Sequence, residues 1–166
     1  MSDVSLKIGS TAFEGWKEVT VNRSIESLCG TFEVTLYDKF GADQWVFVPN
    51  VTVDVFIDST PVMRGLIDRI SVDTASDREM LSISGRDQTA DLVDCSATNT
   101  PGNWPDIDLL GLMRQLVSPF KLAIQNHVNT DVRFKDFKLQ TGESPWDAIN
   151  RANEFEGALI ISDSLG

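Results

Sequence analysis

The 166-residue sequence contains one histidine, His127, in the polar stretch Gln125-Asn126-His127-Val128-Asn129. Histidine is well suited to general acid–base work near neutral pH. No Gly-x-Ser-x-Gly elbow and no Cys-His signature accompanies it, so a solvated loop histidine is expected. Three carboxylate pairs invite comparison with glycoside hydrolysis, which needs two acids flanking one bond. They are Asp91 with Asp94, Asp106 with Asp108, and Glu154 with Glu156. Asp106 and Asp108 precede an apolar-rich run, where a helix N-terminus favours negative charge by ~0.3–1 kcal/mol. Glu154 and Glu156, two apart on a helix, cannot face one point. Asp91 and Asp94 fit one helical face, and a capping or solvated role is expected for them.

Metal chemistry has no better footing. The sequence has no HExxH, no calcium loop and no CxxC, and Cys29 and Cys95 lie far apart. Both cysteines read as buried free thiols. Gly65, Gly85, Gly102 and Gly111 are isolated, so no phosphate-binding loop is present. Asp68 interrupts the apolar face of Leu66, Ile70 and Val72. A buried carboxylate there needs a partner, and Arg69 or Arg86 would supply one. Trp16, Trp45, Trp104 and Trp146 are scattered, which suits core or interface anchors better than a stacking platform. No catalytic, cofactor-binding or metal-ligating residue is expected, and no cofactor; the chain reads as a non-enzyme.

Composition narrows the class further. A hydrophobic fraction of 42% with 23% charged residues is that of a globular protein. A net charge of −11 argues against nucleic-acid recognition, which needs a basic face. No apolar run approaches the ~20 residues of a membrane-spanning helix. The first residues lack the basic and apolar regions of a signal peptide. A soluble protein made in a cytosol is therefore expected.

The elements follow from periodicity. Phe32, Val34 and Leu36 alternate with polar residues, as do Val51, Val53, Val55 and Ile57, the period of half-buried strands. Residues 19–23, 66–72 and 80–86 are further strand-like runs. Asp58-Ser59-Thr60-Pro61 predicts one hairpin turn and residues 73–78 a second. Near Asp87 the character changes. A helix is predicted over 107–117 with Asp106 as N-cap, stopped by Ser118-Pro119. A second helix has Ser144 as N-cap, Pro145 at its first position, Asp147 in the capping-box place and Glu156-Gly157 at its close. Residues 121–125, 134–139 and 158–162 have strand character. The last of these has no visible partner after it, so the sequence reads as part of something longer. The fold class is α+β. An antiparallel β-barrel-like domain over 1–88 is followed by a small α/β domain over 89–166, truncated at its C-terminal end.

Four runs carry a resemblance. They are residues 19–36, residues 51–57, the stretch Pro61-Val62-Met63-Arg64-Gly65-Leu66-Ile67-Asp68, and residues 81–97 with Ser84-Gly85-Arg86-Asp87 and Ala90-Asp91-Leu92-Val93-Asp94-Cys95-Ser96-Ala97. The series resembles the N-terminal half of the baseplate hub proteins of Mu-like contractile-tailed bacteriophages and prophages. The likeness continues through Gly142-Glu143-Ser144-Pro145-Trp146-Asp147-Ala148-Ile149 to Gly157-Ala158-Leu159. It implies a non-catalytic virion protein, assembled in the bacterial host cytoplasm. It also implies a homotrimeric ring whose paired barrels join tail tube to spike. A second resemblance is local: residues 139–149 look like the opening of a LysM peptidoglycan-binding module. That alternative gives residues 139–166 a cell-wall-binding role.

Overall fold

The computed structural model describes residues 3–37, 47–75, 78–129 and 131–164. Two compact units are present, Met1–Gln88 with Ile161–Gly166, and Thr89–Ile160. Trp45 and the tip of the second expected hairpin, residues 76–77, lie outside the described residues.

The first unit is built from β1 (Val4–Ile8), β2 (Thr11–Phe13), β3 (Glu18–Asn22), β4 (Thr31–Tyr37), β5 (Thr52–Ile57), β6 (Thr60–Ala75) and β7 (Arg78–Asp87). They form one sheet in the order β2-β1-β5-β6-β7-β4-β3, and every pair is antiparallel. The β5–β6 hairpin turns where expected, through Asp58 and Ser59, both at positive φ (47° and 67°). Two left-handed residues match the strand twist in a two-residue loop. Pro61 is accommodated next to a register shift at Val55/Phe56, where the missing N–H costs no ladder bond. β1 and β2 were not among the expected strands, although Val4, Leu6 and Ile8 alternate as strictly as β4 does.

One face of the sheet carries the core: Leu6, Phe32, Val34, Val53, Val55, Met63, Ile67, Leu81 and Ile83 are all buried. No helix lies in this unit among the described residues, so these side chains must cover one another. Phe13 near one edge and Val19 and Val21 on the other pack against the same cluster. The sheet is therefore curved around its own core. No β2–β3 ladder closes it into a barrel among the described residues.

The expectation for β6 needs correction. Its inward residues are Met63, Gly65 and Ile67, with Leu66 only half-buried and Val72 exposed. Asp68 is the extra residue of a bulge between Ile67 and Arg69. A bulge shifts the period-two phase, so Ile70 returns to the core side. Asp68 itself is an exposed residue.

The second unit holds α1 (Ala90–Asp94), β8 (Asn103–Asp108), α2 (Leu109–Val117), β9 (Arg133–Lys138) and α3 (Pro145–Asn153). β8 and β9 form an antiparallel pair. The N-cap of α2 is Asp108, not Asp106: its carboxylate accepts from Gly111 N at 3.0 Å. The reason is tertiary, because residues 103–108 are held in the ladder with β9 up to the pair Asp108↔Arg133. α3 starts as its sequence requires, with Ser144 accepting from Asp147 N at 3.1 Å and Pro145 at the first position. It ends at Asn153, and Gly157 at φ 68° donates to Asn153 O at 2.7 Å. Residues 121–125 and 158–162 carry no ladder, contrary to their strand character. Leu112, Leu116, Ile149 and Ala152 are buried in this unit, and Trp104, Phe134, Phe137 and Phe155 form a chain of ring contacts.

Candidate functional site: a polar sheet face and a buried carboxylate

Because the core occupies one face of β3, β4, β6 and β7, the alternate residues present a second, polar face. The register aligns it in rows. Glu18, Thr35, Ser82 and Ser71 form one row, and Thr20, Glu33, Ser84 and Arg69 the next. Asn22, Thr31 and Arg86 continue the pattern. Asp68 folds back from its bulge to take Arg86 Nε at 2.6 Å, one of the two partners expected for it. Asp68 and Arg86, with Thr20, Glu33, Phe32 and Gly85, border an open recess of about 250 Å³. Farther along the sheet, Arg64 bonds Asp54 through two contacts of 2.6 and 3.2 Å, and Lys7 lies 4.1 Å over the Phe56 ring. Short hydroxyl side chains and surface ion pairs of this kind hydrogen-bond a neighbour well but offer no activated nucleophile.

The buried carboxylate is Asp87, only 1% exposed. Its Oδ2 accepts from Gly30 N at 2.8 Å and from Ser162 Oγ at 2.9 Å, while its own N–H donates to Gly30 O. Arg23 donates to Ser162 O and, at 2.6 Å, to Val62 O. Burial, and then the Asp87 charge, push the Cys29 thiol up to about 11. Cys29 is therefore protonated near neutral pH and a poor nucleophile. The sequence held a signal for Asp87: Leu81, Ile83, Gly85 and Asp87 share one phase, so the inward stripe of β7 runs straight into it.

The expected chemistry candidates stay apart. His127 is an exposed loop residue. Asp91 and Asp94 are exposed on the five-residue α1. Asp106 pairs with Arg133 at 3.0 Å, whereas Asp108 caps α2. Glu154 and Glu156 lie beyond the end of α3. Both thiols are free, but neither is fully buried as expected: Cys29 is half-buried, and Cys95 is exposed because it terminates α1 at the surface of its unit. Among the described residues, no cluster of His, Cys, Asp and Glu could hold a metal ion. No helix among them is long and apolar enough to cross a membrane.

In the second unit, Arg151 holds Glu143 through two bonds of 2.8 Å and lies 4.4 Å over the Phe137 ring. Burial alone would raise the Glu143 carboxyl. The bonds from Arg151 and Gln140 N outweigh it and hold the group below its ordinary value. A carboxyl depressed in the folded state stabilises fully above its unfolded pKa, and that contribution is lost as pH falls through the folded value. Thermal unfolding followed from pH 6 to pH 3 should show this loss starting near the ordinary glutamate range. Glu143→Gln should remove that part of the slope and leave the profile flatter.

The comparisons bear directly on this geometry. Residues 3–87 match the family described as Mu phage baseplate assembly protein GpP-like, N-terminal. Residues 89–166 match the baseplate hub protein gp44-like second domain. The chain belongs to the Mu-like baseplate hub family. It is 31% identical to baseplate hub protein gp44 of Escherichia phage Mu over 98% of its own length, and spans 44% of that relative. Among solved structures, the 43 kDa tail protein of prophage MuSo2 from Shewanella oneidensis superposes with a TM-score of 0.92 at 26% identity. It covers all of this chain and 54% of its own. The tail protein of Neisseria meningitidis MC58 shares the fold, with a TM-score of 0.82 at 21% identity over 99% of this chain and 48% of its own. The hub chain thus corresponds to about half of the proteins it resembles. Residues 139–166 fall within the hub second-domain match.

Proposed function

We propose that this hub chain is a structural, non-catalytic component of a phage tail baseplate, and that three copies form the ring joining tail tube to spike. The observation carrying this reading is the match of both halves of the chain to baseplate hub domains. The first unit adds physical support. Its curved sheet keeps its core on one face and presents rows of hydroxyl, carboxylate and guanidinium groups on the other. In a tube-like barrel such a face addresses a neighbouring subunit or a wet lumen. The scattered candidates His127, Asp91 and Asp94 take ordinary surface places, in line with a protein that works by assembly. On this reading residues 1–88 supply the tube-like part and residues 89–166 a small α/β part. The working location is the virion tail, after assembly in the host cytoplasm, with tube and spike proteins as partners.

Native mass spectrometry of the full-length protein at micromolar concentration tests the ring. A trimer is expected, because obligate closed rings bury on the order of 2,000 Å² or more per interface. A strictly monomeric protein would overturn the trimeric reading. Sedimentation with purified peptidoglycan forms the second arm. No retention is expected, and retention that depends on residues 139–166 would favour a glycan-binding role instead.

A further inference from the structure

β6 is 16 residues long, and its two edges are not equally covered. β7 pairs with it as far as Ala75↔Arg78, whereas the β5 side ends at Thr52↔Leu66 and two backbone bonds to Ile67. Beyond the bulge, residues 69–75 have a neighbour on one side only among the described residues. Alternate N–H and C=O groups of such a strand point away from its partner, so the stretch presents a row of open backbone groups. Its side chains fall into two rows. Ile70 and Val72 continue the core phase opposite Ile83 and Leu81, and Val72 is left 41% exposed at the margin of the sheet. Arg69, Ser71 and Asp73 lie in the other phase, opposite Ser84, Ser82 and Met80. Arg69 and Asp73 are exposed, and neither has an ion-pair partner among the described residues.

Charged side chains ordinarily keep a strand edge from pairing. Here their signs and spacing admit one register. Antiparallel pairing of the stretch with itself, centred on Ser71, sets Arg69 opposite Asp73 of a second copy, and Asp73 opposite its Arg69. Ile70 and Val72 meet in the same reciprocal way. Residues directly opposite in a ladder share a face, so the ion pairs form on the polar side while the apolar pairs extend the core. Centring on Arg69 or on Asp73 would instead set like charges against each other, which is destabilising.

We propose that residues 69–73 are a self-complementary edge through which two copies of the chain join their sheets and cover Val72. Charge complementarity selects a second copy as the occupant, because each copy supplies both the cation and the anion that the other lacks. The contact is two-fold, so it goes beyond the threefold ring and does not rest on it. So short a ladder makes a small interface, and association in the weak, transient range is expected.

Sedimentation velocity over a concentration series tests the edge, using the parent chain, Arg69→Asp, Asp73→Arg and a 1:1 mixture of the two variants. The parent should associate with a Kd between micromolar and about 1 mM. Each variant alone sets like charges opposite each other at both ends of the ladder, and should weaken self-association by about tenfold or more. The mixture should recover it, because the two variants offer each other opposite charges at both ends. A mixture that associates no better than its components would overturn the proposal, as would a parent that forms no dimer at about 1 mM. Ser71→Cys, made in a Cys95→Ser chain, reads the register directly: mild oxidation should link residue 71 to its counterpart, and failure to link would equally overturn it. Recovery in the mixture without a trimer in the native mass spectrum would remove the ring and keep the edge. A trimer without recovery would remove the edge and keep the ring.

Discussion

Gly85→Val should prevent the first unit from folding, and Gly85→Ala should already lower its melting temperature markedly. A Cβ at residue 85 would lie 2.2 Å from Leu66 O and 2.5 Å from Phe32 Cζ. The first contact is with backbone in the β6–β7 ladder, and cannot be relieved by a rotamer change. The second is with the ring that fills the centre of the core, 2% exposed. Overpacking costs about 1–3 kcal/mol, occasionally more. For a unit of this size each kcal/mol shifts Tm by roughly 4–8 °C. Differential scanning calorimetry on Gly85→Ala should therefore show a drop of at least ~4 °C by that arithmetic. Phe32→Leu in the same background should return part of the loss, because it removes the ring but not the carbonyl. Ser84→Ala, on the polar face one residue away, should leave Tm nearly unchanged. An unaltered Tm for Gly85→Ala would mean that β6 and β7 are not in this register.

Asp87→Ala is expected to be the most damaging polar substitution in the chain. It orphans the buried Gly30 N–H and removes the 2.9 Å acceptor of the Ser162 hydroxyl. A buried donor left without an acceptor costs about 1–3 kcal/mol. Asp87→Asn separates charge from shape. It keeps an oxygen for one donor and removes the negative charge that, after burial, holds the Cys29 thiol near 11. The Cys29 thiol should then ionise at lower pH. Alkylation by iodoacetamide at pH 9 should be faster at Cys29 in Asp87→Asn than in the parent, under conditions where both remain folded. Unchanged Cys29 reactivity together with unchanged unfolding in Asp87→Ala would show that the carboxylate does not organise this corner.

Both effects hang on one stripe of β7, Leu81-Ile83-Gly85-Asp87, half of which was legible without coordinates. Alternation alone shows that 81 and 83 face a core. It puts Gly85 and Asp87 in the same phase, but since neither is apolar it does not show that the stripe stays inward there. What places them is the partner strands: Gly85 is opposed by Phe32 and Ile67, and Asp87 lies where the Gly30 backbone needs an acceptor. The reading of Asp68 failed for the complementary reason. Its neighbours suggested an inward position, but a bulge can only be seen against the strand it pairs with.

The local signals were stronger for turns and caps. Asp58-Ser59 for the hairpin and Ser144-Pro145 for α3 act through their own backbone, so residue type alone suffices. Asp106 misled because the start of α2 is set by how far β8 stays paired with β9, a non-local competition. By itself, then, the sequence determined the strand periodicity of the first unit, the α3 start, the lack of catalytic motifs and the family. Only the tertiary structure decided which carboxylate is buried, where β6 changes phase and how the sheet curves. Each of these depends on what lies across a ladder or beneath a face, and chain-local propensity carries no record of that.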